Sequence, residues 1–181
     1  MNLFTARRAI SLTTLALGAW LLAWGSEPAP GLKVKDLDGQ SQNLKQYRGK
    51  IIVLNFWATW CGPCQEEMPM MVQKEQAYRS RGVVFIGVSL DEPKNIDKIR
   101  TFVTQHQVQY PIWVGTVDDL EKFKLGPGVP ATGFINRDGE IVGRVLGEIQ
   151  KPDLEHRVEW LLGNRQGDPP VPLENNLSVK H

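Results

Sequence analysis

The sequence predicts an α/β protein in which a central mixed β-sheet is flanked by helices. Two short apolar runs rich in β-branched residues, at 51–56 and 83–88, have the composition of strands buried on both faces of a sheet. A helix-favouring segment follows each run. Further along, the sequence Asn-Arg-Asp-Gly separates apolar runs at 132–135 and 141–146 and predicts a hairpin. Together these observations favour a layered α/β fold with one mixed sheet.

The individual elements follow from local patterns. The helix after the first buried strand is expected from Gln65 onward, and Pro69 should kink it. An extra N-terminal strand or hairpin is expected before the first buried strand. The remaining predicted elements are a strand at 33–36, a turn at 38–39, and helices at 44–47, 93–106 and 154–162.

The chain has the size of one domain with short extensions at both ends. Its 181 residues carry a net charge of +1 and contain no block of like charge, so nucleic acid is not an expected partner. Residues 26–163 are predicted to form the domain. The segment 164–181 is rich in proline and poor in apolar residues, which predicts a disordered tail.

Residues 1–25 have the pattern of a signal peptide or an N-terminal membrane anchor. Arg7 and Arg8 precede an apolar stretch at 9–24. That stretch would span roughly 24 Å as a helix, less than the roughly 30 Å of a bilayer core, which suits a signal peptide. Ala23 and Gly25 are small residues at the right spacing for cleavage. In either case the basic flank stays in the cytoplasm and the domain is exported.

The two cysteines of the chain lie three residues apart, where the first buried strand gives way to a helix. Cys61 is expected at the helix N-terminus, where free N–H groups and the helix dipole favour a thiolate. Pro63 suits the first helical turn, and Cys64, one turn further in, should be shielded. This asymmetry predicts Cys61 as the attacking sulfur and Cys64 as the resolving sulfur.

A structural disulfide or half of a metal site would also account for the cysteine pair, but both are less favoured. A purely structural disulfide would close a very small loop and constrain little of the unfolded chain. A structural zinc site needs four ligands, and the three histidines are isolated in the sequence (His106, His156 and His181). A group of methionines could suit Cu(I), but such spacing more commonly reflects helix-core packing (Met68, Met70 and Met71). No metal site is therefore predicted.

The segment Trp57-Ala58-Thr59-Trp60-Cys61-Gly62-Pro63-Cys64 resembles the active-site motif of the thioredoxin superfamily. Its flanking pattern resembles the TlpA/ResA family of exported thiol-disulfide oxidoreductases. A second segment, Gly128-Val129-Pro130-Ala131-Thr132, resembles the superfamily's cis-proline loop. The resemblance extends from about residue 31 to residue 163. It implies a thioredoxin-like fold and a dithiol/disulfide cycle that needs no cofactor.

The resemblance also implies a substrate-binding surface. Pro130 would follow a cis peptide bond and face the active-site sulfurs, although an ordinary turn proline is the alternative. Val129 would offer its backbone to an extended substrate segment, and Trp60 would provide apolar contact.

A glutamate is the predicted proton carrier. The buried aspartate of cytosolic thioredoxins would fall on Asn55, which cannot carry a proton. Glu67 lies three residues after Cys64 on the same helix face, and it matches a glutamate typical of the TlpA/ResA family. It could raise the pKa of the thiols or move the proton of Cys64. Alternatively, Glu66 and Glu67 are simply first-turn acids favoured by the helix dipole.

The resemblance implies a protein-disulfide reductase that acts in the periplasm or elsewhere outside the cytoplasm. Expected substrates are disulfides of partner proteins, such as apocytochrome c or copper-delivery proteins, and the expected electron donor is a membrane thiol transporter of the DsbD/CcdA type. Trp20 and Trp24 suit a membrane interface, so anchoring in the cytoplasmic membrane by residues 9–24 is favoured over secretion after cleavage near Gly25.

The sequence leaves further functional classes open. The chain could be a metallochaperone or binding module of the copper or cytochrome assembly pathway. A peroxiredoxin-like antioxidant is disfavoured, because peroxiredoxins use a different cysteine motif with a nearby Thr and Arg.

Overall fold

The computed structural model describes residues 26–177, so the predicted signal peptide or anchor at 1–25 lies outside the described residues. Within the described range the strands form one mixed sheet in the order β1-β8-β7-β4-β5-β6-β2-β3, with β9 beside β8. The strands are β1 (Glu27–Pro28), β2 (Lys33–Asp36), β3 (Ser41–Asn43), β4 (Ile51–Trp57), β5 (Val83–Ser89), β6 (Ile112–Val114), β7 (Ala131–Ile135), β8 (Glu140–Leu146) and β9 (Leu173–Asn175). The α-helices are α1 (Gly62–Tyr78), α2 (Ile96–Gln105), α3 (Val117–Lys122) and α4 (Lys151–Leu162).

The predicted mixed sheet is confirmed. Strand β4 pairs in parallel with β5, and β5 pairs in parallel with β6. Strand β7 is antiparallel to both β4 and β8, and the predicted β7–β8 hairpin turns at Gly139 with a positive φ of 84°. The predicted N-terminal hairpin is present as β2–β3, which extends the sheet beyond β6.

Strand β4 is central because both of its faces are buried. Its side chains alternate between two apolar clusters, with Ile51, Val53 and Trp57 on one side of the sheet. Ile52, Leu54 and Phe56 pack on the other side. Asn55 is the one polar residue of this strand and faces the same side as Val53 and Trp57, since successive side chains point to opposite faces.

Helix α1 packs one face against the sheet. It begins at Gly62, directly after Cys61, as the predicted helix start at Cys61 requires, and it continues through Pro69 to Tyr78. Cys61 is its N-cap, with Pro63 in the first turn. Its buried residues recur at the spacing of one helix face, and two methionines are among them, as core packing predicts (Cys64, Glu67, Met68, Met71, Glu75 and Tyr78).

The prediction of a disordered tail over residues 164–181 is wrong for part of the described range. Residues Leu173–Asn175 form β9, which pairs in parallel with the second half of β8. Composition predicts whether a segment can build an apolar core, but β9 is held by backbone hydrogen bonds and by Arg157, none of which depends on apolar content.

Candidate active site

Cys61 and Cys64 form a disulfide at the N-terminus of α1. The backbone N–H of Cys64 donates to Cys61 Sγ over 3.2 Å, so the sulfur caps the helix. Cys61 is 5% exposed and Cys64 is 0% exposed. Cys61 is thus more exposed than Cys64, as predicted, but the difference in exposure is small because Cys61 is itself nearly buried.

The loop before β7 lies against the disulfide. The Val129–Pro130 peptide bond is cis, as predicted, and a second cis bond at Gly126–Pro127 was not predicted. Val129 O lies 3.5 Å from Cys61 Sγ. Trp60, the residue just before the disulfide, is 69% exposed. Of the three residues predicted to contact substrate, Trp60 precedes Cys61 in the chain and Val129 lies beside it in space. The third, Pro130, is buried.

Glu67 is buried on the inner face of α1, whereas its neighbour Glu66 is exposed. Asn55 Nδ2 donates to Glu67 Oε1 over 2.9 Å, and the backbone N–H of Ile149 donates to Glu67 Oε2 over 3.1 Å. Asn55 Nδ2 also donates to Thr132 Oγ1 over 3.1 Å. The hydrogen-bonded chain thus connects α1, β4 and β7 with the β8–α4 loop.

Burial raises the pKa of Glu67 to about 8. The charge of Glu148 acts in the same direction, and the hydrogen bonds from Ile149 and Asn55 oppose the rise because they stabilise the carboxylate. In the disulfide form of the protein, this carboxyl group is therefore mostly protonated near neutral pH. Its burial argues against the alternative that Glu67 is only a first-turn acid of the helix surface.

The active-site loop is held by a buried aspartate that the sequence did not single out. Asp91 accepts from Thr59 N and Thr59 Oγ1, over 2.9 and 2.6 Å, and from Ser89 Oγ over 2.7 Å. Gln65 Nε2 donates to Thr59 O from the other side. Only the strand topology could have indicated this contact. Because β4 and β5 are parallel, the segments that follow them, which carry Thr59 and Asp91, lie at the same edge of the sheet.

A second contact that the sequence did not predict comes from the loop between β8 and α4. The backbone N–H of Gly147 donates to Pro130 O over 2.9 Å, and two residues later Ile149 binds Glu67. One short loop thus contacts both the proline loop and the buried carboxyl group.

Metal-binding residues are not clustered in the described part of the chain. Among residues 26–177 no group of three or more His, Cys, Asp or Glu side chains could hold a metal ion. Met68 and Met71 are fully buried in the core, and Tyr110 donates its hydroxyl to Met68 Sδ over 3.0 Å. Within the same range no helix has the length and apolar character to cross a membrane.

A mixed sheet that carries a Cys-Gly-Pro-Cys disulfide at a helix N-terminus, with a cis-proline loop against it, defines a thiol-disulfide oxidoreductase of the thioredoxin fold. Residues 26–144 match the model of the AhpC/TSA family, and the chain belongs to that family.

The relatives agree with the site. The chain is 36% identical over 132 residues to the thiol-disulfide oxidoreductase ResA of Geobacillus kaustophilus, covering 72% of this chain and 74% of that protein. ResA of Bacillus cereus is 36% identical over 129 residues, covering 70% and 72% of the two chains. These similarities confirm the predicted enzyme class.

Solved structures support the same fold. A thiol:disulfide interchange protein of the thioredoxin family from Chlorobium tepidum matches with a TM-score of 0.67 and 29% identity, covering 76% of this chain and 97% of that one. The thioredoxin domain of a thiol-disulfide oxidoreductase from Bacteroides vulgatus matches with a TM-score of 0.64 and 26% identity, covering 75% and 96%. The thioredoxin-like fold is thereby confirmed.

Proposed function

We propose that this oxidoreductase reduces disulfides of partner proteins outside the cytoplasm, with Cys61 as attacking sulfur, Cys64 as resolving sulfur and Glu67 as the group that holds and returns the proton of Cys64. The observation that carries the proposal is the buried, hydrogen-bonded carboxyl group one helical turn beyond Cys64 on the same face. A proton carrier at this place is needed because the strand position beside the site holds Asn55, which does not titrate.

The reducing half of the cycle requires two exchanges. The Cys61 thiolate attacks one sulfur of the substrate disulfide, and the other sulfur leaves. Cys64 then loses its proton and attacks Cys61 Sγ, which restores the internal disulfide and releases the second substrate sulfur. Glu67 acts in this second exchange by taking the proton of Cys64, and it returns the proton when a donor later reduces the disulfide.

The proton affinity of Glu67 suits this role. An unperturbed thiol has a pKa of about 8.5, so transfer to a carboxylate with a pKa of about 8 costs less than about 1 kcal/mol. Transfer to an exposed glutamate with a pKa of about 4.3 would cost roughly 6 kcal/mol. Burial of Glu67 therefore brings the two proton affinities close together, as general acid-base catalysis requires.

Substrate binding is assigned to the surface around Cys61. Trp60 is the most exposed large apolar side chain within residues 26–177, and it directly precedes the attacking sulfur. On the other side of Cys61, the carbonyl of Val129 is available to an extended segment, and Pro130 supports that backbone. A partner disulfide flanked by an extended, partly apolar segment fits this arrangement.

The proposed setting is outside the cytoplasm, with the N-terminal segment at 9–24 as membrane anchor or as a signal removed near Gly25. An exported compartment is oxidising, so a reductase there needs electrons from a membrane thiol donor of the DsbD/CcdA type. We propose the haem-site cysteines of apocytochrome c or the cysteines of copper-delivery proteins as substrates.

The redox potential tests the direction of the reaction. The full chain, equilibrated with glutathione or dithiothreitol buffers of known potential, is expected to show a value nearer about −270 mV, as in thioredoxin, than about −120 mV, as in a strong periplasmic oxidant. A value above about −180 mV would reverse the assigned direction. The role of Glu67 is tested with the variant Glu67→Gln, and Glu66→Gln is its control. Both variants remove one carboxyl group from α1, but Glu66 is exposed.

A further inference from the structure

The last described segment of the chain, residues 171–177, lies along β8 and ends on the loop that contacts Glu67. We refer to these residues as the C-terminal strap. The backbone N–H of Asn176 donates to Leu146 O over 2.6 Å, and Asn176 Nδ2 donates to Glu148 O over 3.0 Å. Both acceptors belong to the end of β8 and the loop that follows it, so one strap residue holds this loop at two points.

The strap is itself fixed by a buried guanidinium group. Arg157 of α4 is 3% exposed, and it donates from Nη1 to Val171 O and from Nη2 to Glu174 Oε2, each over 2.8 Å. Its Nε donates to Asp153 on the same helix. Removing the strap would leave this buried cation short of partners, which is strongly unfavourable, so the strap is bound to the domain and not merely adjacent to it.

The strap packs directly on the backbone of Gly147. This residue has a positive φ of 89°, and a Cβ placed on it would lie 2.9 Å from the carbonyl carbon of Asn176 and 3.0 Å from the nitrogen of Leu177. Because these atoms belong to the backbone, they could not move aside as a flexible side chain could. Only glycine therefore permits this contact between the strap and the loop.

The loop under the strap supplies two N–H groups to the redox site. Gly147 donates to Pro130 O, and Ile149 donates to Glu67 Oε2. We infer that the C-terminal strap is a positioning element of the redox site, which holds the 147–149 loop so that its N–H groups meet the proline loop and Glu67. This inference rests on the proposed function, in which Glu67 carries the proton of Cys64.

The groups that face Glu67 come from several elements, and the strap contributes none of them directly. Glu148 lies on the loop, Tyr110 precedes β6, and the neutral Asn55 is on β4. The neutral Thr132 of β7 lies behind Asn55. The charged strap residue, Glu174, is bonded to Arg157. The strap therefore acts on Glu67 through the position of the Ile149 N–H group and not through its own charge.

The test measures the titration of Glu67 itself. In full-length protein with the disulfide formed, the carboxyl carbon of Glu67 is followed by ¹³C NMR against pH, and its signal is assigned by its absence in Glu67→Gln. Asn176→Ala removes the bond to Glu148 O, and Gly147→Ala forces the loop and strap apart. In both variants the Ile149 bond to the carboxylate should weaken, so the titration midpoint should rise by about half a pH unit, roughly a threefold change in proton affinity.

A matched control is available one residue earlier in the strap. Asn175 is exposed, and its side chain accepts only from Leu177 N within the strap among the hydrogen bonds of the described range. Asn175→Ala should leave the Glu67 midpoint unchanged. An accelerated hydrogen exchange of the Ile149 amide in Asn176→Ala, but not in Asn175→Ala, would further support the inference.

The inference and the proposed function can fail separately. If Asn176→Ala and Gly147→Ala both fold and leave the Glu67 midpoint unchanged, the strap does not position the site, whatever the catalytic role of Glu67. If instead the midpoint moves as expected but Glu67→Gln has the wild-type pH dependence of disulfide exchange, the strap inference stands as geometry and the proton-carrying function of Glu67 is overturned.

Discussion

The buried carboxyl group of Glu67 should make the stability of the oxidised protein depend on pH. In the folded protein its pKa is about 8, whereas its ordinary value is 4.5. Between these values the folded state binds a proton that the unfolded state has released. The free energy of unfolding therefore falls as pH rises through this window, and the stabilisation present at low pH is fully lost only above about pH 8.

The magnitude follows from the two pKa values. Well above pH 8 the full difference corresponds to about 5 kcal/mol of lost stability. Between pH 5 and pH 8 the same relation gives about 3–4 kcal/mol, because part of the loss occurs below pH 5, where the unfolded carboxyl group ionises, and part above pH 8, where the folded group finishes ionising. This is a large fraction of the roughly 5–15 kcal/mol that ordinarily stabilises a folded domain.

Urea unfolding of the full-length protein at several pH values between 5 and 9 measures this loss, and Glu67→Gln removes the titrating group. At pH 5 wild-type Glu67 is a neutral carboxyl group that already turns an O–H toward Asn55 Nδ2 or Ile149 N, both of which are donors, so the neutral glutamine amide is expected to give a stability close to that of wild type at this pH. Its stability should decline much less with pH. Glu66→Gln should keep the wild-type slope, and equal slopes in wild type and Glu67→Gln would refute a strongly raised pKa.

Two further predictions concern Cys61 and its surroundings. In the reduced protein, limiting iodoacetamide near neutral pH should label Cys61 well before Cys64, because Cys64 is completely buried. Peptide mass spectrometry measures the order of labelling. Faster labelling of Cys64 would exchange the roles of the attacking and resolving sulfurs. Trp60→Ala should slow the reduction of protein disulfides by about tenfold, since loss of an exposed aromatic contact costs on the order of 1–2 kcal/mol in binding, while reaction with dithiothreitol stays near the wild-type rate. A parallel loss with both reactants would show that Trp60 supports the loop instead of contacting the partner.

Local patterns were sufficient for the position of the redox pair and for most of the sheet. Cys61 could be placed at a helix N-terminus from the apolar run of β4 and the helix-favouring residues after Cys64. Both patterns depend only on residues that are contiguous in the sequence. The β7–β8 hairpin followed from the turn residues before Gly139 in the same way. The resemblance of the proline loop likewise identified a cis bond at Val129–Pro130.

The strap shows where local patterns were insufficient. Residues 164–177 have the composition of a disordered segment, yet β9 pairs with an edge of β8 that happens to be open, and a buried arginine binds two of the strap residues. Whether a short polar segment is ordered depends on the donors and acceptors that the rest of the fold leaves available to it. Its own composition carries no information about them.

The position of Glu67 could be predicted from the sequence, but its proton affinity could not. Its position one turn beyond Cys64 follows from helix periodicity, so the sequence alone identified the residue as a candidate. Its raised pKa could be read only from the tertiary structure, because Ile149, the backbone donor to its carboxylate, lies 82 residues away along the chain, and Asn55 reaches it from the central strand. Desolvation is the sum of everything packed around a group, and in this protein distant segments do that packing.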